Sequence, residues 1–424
     1  MTPPPALPAA APALRCLWLA RALPFPQDSG DRIYSARLAR ALADSGCDVH
    51  LVGLAAGPVP VDDAAPRPPG AGTLRWDAVG GGAAPTWRAL LSPQPLNGAI
   101  HATPAYRRRL AALLAERWDL VVLDHYGMGW ALPQVLRSAQ PGTARPVVVH
   151  VAHNHETTLW QDMVRLFRGA PLRRLGLWQN LQKLRRVEQR LATSVDLLCC
   201  ITAEDAAAFA RTPGARPSLV LTPGFGGLQL PDRTLTPATP RRVVMVGSFR
   251  WVAKQENLRA LVQQADRVFA AHGIGLDVVG DVPAALRAEL AGCTSATLHG
   301  FVEDIAPLFR QARLAIVPEV IGGGFKLKFL DYVFGRVAVV TLDAAAAGLP
   351  PEVRAAMLGC ADLDALVDTV VRHIDALAEL DRRQRQAHAA AAALFHWPDR
   401  GVALRDAVLA LAPAATAPAP VRAA

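Results

Sequence analysis

Short apolar runs of the kind that form buried β-strands alternate with helix-like segments along most of the chain. Continuous apolar runs are typical of parallel strands that helices cover on both faces of the sheet. The alternation occurs in two series, so the sequence predicts an α/β protein with two doubly wound sheets. The first series lies at residues 14–20, 48–54, 119–125, 145–153, 194–202 and 218–224, and the second at 241–249, 274–281, 296–302, 314–320 and 337–343.

The two series are separated by residues 225–240, which are rich in Gly, Pro and Thr and are predicted to form a linker. A chain of 424 residues is also longer than one ordinary hydrophobic core supports. We therefore predict two Rossmann-like domains, residues 14–224 and 241–394, with a ligand-binding cleft between them at the carboxyl ends of the strands. Residues 1–13 and 412–424 are Pro/Ala-rich without apolar periodicity, which predicts disordered tails.

Sequence signals for secretion, disulfides or a membrane span are weak. The first apolar stretch is short and lies between Arg15 and Arg21, unlike a signal peptide. No run approaches the roughly 18 apolar residues that a spanning helix needs. The six cysteines are scattered and form no CxxC pair. These features predict a cytoplasmic protein with reduced thiols and without a zinc site.

Positive charge is concentrated in residues 165–190, within a chain of net charge +9. This stretch, called the basic stretch below, is predicted to form a helix. It contains eight Lys or Arg residues and one acid, Glu188, with apolar residues interleaved. Such a pattern suits an anionic membrane surface, and a solvated helix face is the alternative. Nucleic acid is not an expected partner, because no stacking platform or known binding module accompanies the charge.

The stretch "GGGFKLKFLD" combines flexible backbone, two lysines and an aspartate between a strand and a helix predicted to begin near Phe325 or Lys326. Backbone N–H groups at Gly322–Gly324 and a helix N-terminus would attract an anion such as a diphosphate. Lys326 and Lys328 would add cationic contacts, and Asp331 would accept hydrogen bonds from sugar hydroxyls. The alternative is a tight turn with solvated lysines, since the stretch is neither a P-loop nor GxGxxG.

Other polar residues follow predicted strands and are candidates for the same cleft. In the first domain, Gly30 lies at a strand-to-helix junction, and His153 and Glu156 follow the strand at 145–153. Their spacing does not form HEXXH, which argues against zinc. In the second domain, Arg250 and Lys254 follow the first strand.

These segments resemble the GT-B glycosyltransferases of the large retaining group called family four. The chain start "LPFPQDSGDRIYSARLARALADSGCDVHLV", the segment "VAHNHETTLW" and the segment "VGSFRWVAKQENLRALV" resemble three motifs of that group. The segment from "LHGFVEDIAPLF" through "GGGFKLKFLDYVFG" resembles its donor-site signature. "FHW" resembles the motif before a last helix, here residues 395–411, that crosses back to the first domain in such enzymes. The resemblance covers about residues 14–410.

The resemblance implies transfer of a sugar, with retention at the anomeric carbon, from a nucleotide-diphosphate-sugar donor to a glycan or lipid-linked acceptor. It implies no cofactor and no essential metal, with the donor bound mostly by the second domain and the acceptor by the first. The implied catalytic residues are His153, Glu156, Arg250 and Lys254, and the implied donor-binding residues are Gly30, Gly247, Gly323, Gly324, Phe325, Lys326, Lys328 and Asp331.

The chain departs from the family's paired-glutamate motif. Asp331 matches the second acid, which is expected to contact the ribose, and Gly323 occupies the place of the first. Backbone amides of Gly323–Phe325 are the expected substitute. The lost first acid supports one alternative, a catalytically silent GT-B binding module. A second alternative is a sugar-nucleotide epimerase, which shares the architecture but requires catalytic carboxylates that the sequence does not assign.

Overall fold

The computed structural model describes residues 14–55, 68–87, 91–138, 145–167, 169–250, 252–319 and 324–411. These residues form two compact units, each with a parallel sheet covered by helices. The first unit contains the chain up to Cys200, Ala206–Leu221 and the chain from Trp397, and the second contains Ile201–Asp205 and Thr222–His396. The predicted fold class, α/β with two doubly wound sheets, is confirmed.

The first sheet has seven parallel strands in the order β3-β2-β1-β4-β5-β6-β7. Strand order reverses between β1 and β4, so the loops that leave these strands diverge and open a crevice at their carboxyl ends. The strands are β1 Arg15–Ala22, β2 Asp48–Leu54, β3 Leu74–Val79, β4 Leu120–Asp124, β5 Val147–Ala152, β6 Leu197–Cys200 and β7 Ser218–Val220.

The second sheet has six parallel strands in the order β10-β9-β8-β11-β12-β13. Its order reverses between β8 and β11, which again places a crevice after these two strands. The strands are β8 Arg242–Val246, β9 Gly275–Val279, β10 Ala296–Gly300, β11 Ala312–Val317, β12 Ala338–Leu342 and β13 Leu358–Cys360.

Helices connect the strands and cover both sheets. They are α1 Gly30–Asp44, α2 Leu96–His101, α3 Pro104–Leu113, α4 Leu132–Arg137, α5 Glu156–Leu166, α6 Pro171–Ser194, α7 Ala203–Ala210, α8 Val252–Ala271, α9 Ala284–Glu289, α10 Ala306–Gln311, α11 Lys328–Phe334, α12 Asp343–Ala346, α13 Pro351–Arg354, α14 Leu363–His373, α15 Leu377–Leu394 and α16 Trp397–Leu411. The last helix packs on α1 in the first unit, where a Cβ on Gly401 would lie 2.0 Å from the Ala41 carbonyl oxygen.

Three local features differ from the sequence-based expectation. Strands β3 and β13 were not predicted, because β3 is a half-exposed edge strand and β13 spans only three residues. The basic stretch was expected to form one helix, but α5 ends at Leu166 and α6 begins at Pro171. Proline lacks a backbone donor, so it fits the first turn of α6 and not the interior of one continuous helix.

The predicted linker is packed against the second unit. Leu230 and Leu235 are buried in the core of that unit. Between them, the Arg233 guanidinium donates hydrogen bonds to backbone carbonyls, among them Arg336 at 3.0 Å and Phe309 at 2.7 Å. Such a set of charge-assisted bonds fixes this segment on the unit it precedes.

Candidate active site

A polar pocket lies at the strand-order reversal of the first unit. Side chains from β1, α1 and the ends of β4 and β5 line it, and its volume is about 130 Å³. Arg21 and Asp31 form an ion pair at the pocket, with Nη2 to Oδ2 at 2.7 Å. The lining therefore mixes hydrogen-bond donors and acceptors, which suits the hydroxyl groups of a sugar. Its residues are Ala20, Arg21, Ala22, Pro24, Asp31, Arg32, Ser35, His101, Asp124, His125 and His153.

His153, a predicted catalytic residue, lines this pocket and is paired with Asp124. The distance from His153 Nε2 to Asp124 Oδ1 is 2.7 Å, and both residues are buried. Asp124 also accepts a hydrogen bond from Trp18 Nε1 at 3.0 Å. Burial alone would raise the pKa of Asp124, but the charge and hydrogen bond of His153, with bonds from Ser35 and Trp18, hold that pKa below its usual value. The anionic Asp124 thus orients the His153 ring.

His125 is a second histidine of the pocket, and the sequence analysis missed it. Its backbone has φ of 74°, a left-handed value that a non-glycine residue adopts only where its surroundings enforce it. Its Nδ1 accepts a hydrogen bond from the backbone N–H of Gly127 at 2.9 Å, so the ring proton lies on Nε2. Burial, followed by the charge of Arg21, lowers its pKa well below the usual value. The only sequence signal was a histidine directly after an apolar run.

Glu156, the other predicted catalytic residue of this unit, begins helix α5. Its Oε1 accepts a hydrogen bond from Asn154 Nδ2 at 3.0 Å and lies 3.7 Å from His125 Nε2. Burial raises the pKa of Glu156 to about 7, and the nearby carboxylate of Glu188 acts in the same direction. Glu156 is not among the side chains that line the pocket. Glu156 therefore adjoins the pocket through His125. Its pKa of about 7 suits proton exchange at neutral pH.

In the second unit, the structure brings three predicted lysines together at the reversal between β8 and β11. Lys328, at the start of α11, forms a salt bridge with Glu319, which follows β11. The charges of Lys254 and Lys326 interact with both partners of this pair. We call Lys254, Lys326, Lys328 and Glu319 the lysine cluster. Three cations around one buried carboxylate make this crevice a site for an anion.

The cluster lysines carry perturbed pKa values. Burial lowers the pKa of Lys326 to about 8, with Glu319 opposing and the two other lysines reinforcing this shift. Burial and the charge of Lys328 also lower the pKa of Lys254. Gly247 adjoins the cluster, since a Cβ there would lie 3.5 Å from Lys328 Nζ. A bound anion would relieve the repulsion among these cations.

The remaining predicted site residues have different surroundings. Arg250 is exposed and its Nε pairs with Asp281 Oδ2 at 2.8 Å. Asp331 is half-buried on α11, and burial raises its pKa to about 6 against the charge of Lys328. Phe325 packs edge-on against Phe395, with ring centroids 5.5 Å apart.

The glycines predicted for the donor site differ in their backbone surroundings. Gly324 has φ of 71°, which favours glycine, and Gly30 is the first residue of α1. Gly323 lies outside the described residues. Helix α11 begins at Lys328, later than the predicted Phe325 or Lys326, and has seven residues. The described positive charge of this site is that of the lysine side chains, and the expected backbone contact of Gly322–Gly324 falls partly outside the described residues.

Two further observations concern metal binding and the membrane. Among the described residues, no group of three or more His, Cys, Asp or Glu side chains is arranged to bind a metal ion. In the same part of the chain, no helix is both long and apolar enough to cross a bilayer.

Two family patterns match separate parts of the chain. The pattern described as "Glycosyl transferase 4-like domain" matches residues 29–224, and the one described as "Glycosyl transferases group 1" matches residues 240–376. Together they contain the lysine cluster and the pocket residues from Asp31 onward, whereas the pocket residues within 20–24 lie before the first matched range. No curated protein matches the chain by sequence.

Solved structures share the fold over almost the whole chain. Sucrose-phosphate synthase from Thermosynechococcus elongatus has a TM-score of 0.69 and 17% identity, covering 94% of this chain and 99% of its own. WaaG, a glycosyltransferase involved in lipopolysaccharide biosynthesis, has a TM-score of 0.62 and 17% identity, covering 92% and 99%. Anabaena HepE, solved with UDP and glucose, has a TM-score of 0.62 and 13% identity, covering 94% and 100%.

Proposed function

We propose that this chain, which belongs to the group 1 glycosyltransferases, moves a sugar with retention from a nucleotide-diphosphate-sugar to a glycan or lipid-linked acceptor. The family expected from the sequence motifs is confirmed, which favours glycosyl transfer over epimerisation. The observation that carries the proposed donor is the lysine cluster, Lys254, Lys326 and Lys328 around Glu319, at the strand-order reversal of the second sheet.

The lysine cluster has the chemistry that a sugar-nucleotide donor requires. Breaking the bond between sugar and diphosphate leaves negative charge on the leaving diphosphate, and preorganised cations stabilise that charge in the transition state. The three lysines are partly buried, so their charges act with less screening than surface charges do. Support also comes from neighbours of the same fold, since HepE has been solved with UDP and a trehalose-6-phosphate synthase with UDP-2-fluoro glucose.

Charge neutralisation by lysines also underlies the proposal that no metal is essential. In many phosphate-transferring enzymes a divalent cation balances the diphosphate. Here Lys254, Lys326 and Lys328 would take that role directly. Asp331, on the same helix as Lys328, is proposed to accept hydrogen bonds from the ribose of the donor.

The pocket of the first unit is proposed to bind the acceptor. His153, held by Asp124, presents its Nδ1 edge as a hydrogen-bond acceptor for a hydroxyl group. Arg21 and Asp31 supply a donor and an acceptor at the same pocket. Glu156 would act on the acceptor indirectly, because its carboxylate faces Nε2 of the pocket residue His125. The arrangement would orient an acceptor hydroxyl group for transfer.

The basic stretch is proposed to hold the enzyme on an anionic membrane, at the cytoplasmic face of the inner membrane. Leu172, Leu175 and Trp178 follow helical spacing along α6 and are 83%, 60% and 51% exposed. Arg173 and Arg174 beside them are also exposed. Exposed apolar side chains flanked by arginines fit a lipid interface with anionic headgroups. This placement would suit a lipid-linked acceptor and synthesis of a cell-surface glycan.

A thermal-shift screen tests the proposed donor site. The purified protein is heated with UDP, GDP, ADP and their common sugar conjugates, beside the double variant Lys326→Ala/Lys328→Ala. We expect one base to raise the melting temperature through its diphosphate, and the double variant to lose that rise. Lys183→Ala, which removes a lysine of the first unit, is the matched control and should keep it. A folded wild type that responds to no nucleotide would favour the silent binding module.

A further inference from the structure

Glu319 has no role in the proposed reaction, yet it lies at the centre of the lysine cluster. It is 6% exposed, and its Oε1 accepts from Lys328 Nζ. Its Oε2 is buried without a hydrogen-bond partner among the described residues. A buried carboxylate with an unsatisfied oxygen is costly, so it calls for a functional explanation.

A carboxylate is an unexpected choice beside a diphosphate, because the two repel each other. Lys254, Lys326 and Lys328 alone would bind phosphate charge more strongly than they do with Glu319 among them. Asp331 lies close enough to interact with Lys328 and adds a second acid to the surroundings. The site therefore attracts phosphate charge less strongly than its lysines would allow.

The donor and the product of the proposed reaction differ in phosphate charge. In a nucleotide-sugar, both phosphates are esterified and carry one negative charge each. After transfer, the nucleoside diphosphate has a terminal phosphate whose second ionisation lies near pH 6, as in other phosphate monoesters. At neutral pH the product therefore carries about one more negative charge than the donor, at the phosphate that has just lost the sugar.

We propose that Glu319 is a specificity-determining residue that disfavours the nucleoside diphosphate product relative to the nucleotide-sugar donor. Its fixed negative charge repels the additional charge of the product more than it repels the donor, which is discrimination by an unfavourable contact. The consequence is faster product release and weaker product inhibition, a step that limits the turnover of many enzymes. The inference rests on the proposed donor site at the lysine cluster.

The substitution Glu319→Gln tests this role with little change in shape. The glutamine carbonyl still accepts a hydrogen bond from Lys328, so the lysine remains positioned while the negative charge is removed. Calorimetric titration would compare the nucleoside diphosphate with its sugar conjugate, using the base found in the nucleotide screen. We expect product affinity itself to increase, so that its ratio to donor affinity rises about tenfold in the variant. Product inhibition of turnover should strengthen by a similar factor.

A second probe needs no variant. A nucleoside diphosphate methylated on its terminal phosphate has the charge of the donor but no sugar. If Glu319 repels the additional product charge, the wild type should bind this ester at least as well as the unmodified diphosphate, and Glu319→Gln should reverse that order. Glu289→Gln is the matched control, since it removes one acid of the same unit that pairs with Arg259 instead of the cluster lysines. It should leave the ratio unchanged.

Other outcomes overturn the inference. If Glu319→Gln binds both the product and the donor more weakly, by the same factor, then Glu319 only positions Lys328. Weaker binding of the donor alone would indicate that Glu319 contacts the sugar directly. An unchanged ratio of product affinity to donor affinity would mean that Glu319 does not discriminate between the two. If the wild type binds no nucleotide, the proposed donor site itself fails. A wild type that binds nucleotide without a change of ratio in the variant contradicts only the role of Glu319.

Discussion

Glu188, the one acid of the basic stretch, accepts a hydrogen bond from the backbone N–H of Glu156 at 2.7 Å, and its other oxygen accepts from Thr157 N at 3.0 Å. The first backbone N–H groups of a helix have no partner within the helix, and this carboxylate satisfies two of them at the start of α5. Glu188 lies on α6 and is 3% exposed. The long basic helix therefore holds the segment that carries Glu156 in place.

Glu188→Ala should lower the stability of the first unit. It leaves two N–H groups unsatisfied in a buried setting, a loss of about 1–3 kcal/mol per group. We expect the melting temperature to fall by several degrees, measured by circular dichroism. Glu188→Gln keeps one acceptor oxygen, so its melting temperature should fall less. Glu116→Ala breaks only an exposed pair with Arg15 and should change little. Equal effects of Glu188→Ala and Glu116→Ala would contradict the capping role.

Glu156 should make stability depend on pH in a specific direction. Burial raises its pKa in the folded protein to about 7 from the usual 4.5, so between these values the folded state binds more protons than the unfolded state. Its contribution to stability is therefore lost as pH rises from about 4.5 through 7, by about 3 kcal/mol at pH 8.

Glu156→Gln removes the titration and keeps an acceptor for Asn154. The variant should melt several degrees above the wild type at pH 8 and at a similar temperature at pH 5. Melting curves recorded from pH 5 to 8 check this. A difference between the two proteins that does not vary with pH would refute the raised pKa.

The sequence predicted most of the strands because their apolar runs are continuous. It predicted Lys326 and Lys328 because they follow a glycine-rich loop, and Lys254 because it follows the first strand of the second domain. It could not predict the pairings that build the sites. Asp124 and His153 meet only because β4 and β5 are neighbours in the sheet, which residue spacing does not reveal. Glu319 was taken as part of an apolar strand, and Glu188 as one member of a charge count. The roles of Glu319 and Glu188 depend on the direction in which each side chain faces.

Lys326 should make donor binding weaken as pH rises. Its pKa of about 8, lowered mainly by burial, means that the cation is lost as pH passes from 7 to 9. A bound diphosphate favours the charged lysine and so raises its pKa, and binding should take up a proton in this range. Affinity for the sugar-nucleotide donor should fall several-fold over this interval, measured by calorimetry in buffers of different ionisation enthalpy.

Lys326→Arg is the control for this pH dependence, because arginine stays charged throughout the interval. Its donor affinity should change less between pH 7 and 9 than that of the wild type. A wild type without proton uptake on donor binding, or an arginine variant with the same pH dependence, would mean that Lys326 does not contact the diphosphate.

The exposed face of α6 should bind anionic vesicles. Leu172→Ser/Leu175→Ser removes apolar surface that is exposed in the protein, and Arg173→Glu/Arg174→Glu reverses two charges beside it. Each basic residue near an anionic surface contributes about 1 kcal/mol, so the charge reversal should weaken binding by more than tenfold. Cosedimentation with phosphatidylglycerol vesicles at low salt measures both effects, with phosphatidylcholine vesicles for comparison.

Salt dependence separates the two contributions to this binding. Raising the ionic strength screens the arginines but leaves the apolar contacts intact, so the leucine variant should be the more sensitive of the two to salt. Leu409→Ser is the matched control, since Leu409 is 49% exposed on α16, outside the basic stretch. It should bind vesicles as the wild type does. A wild type that does not bind anionic vesicles at low salt would leave α6 as a solvated helix, with its leucines and arginines facing water.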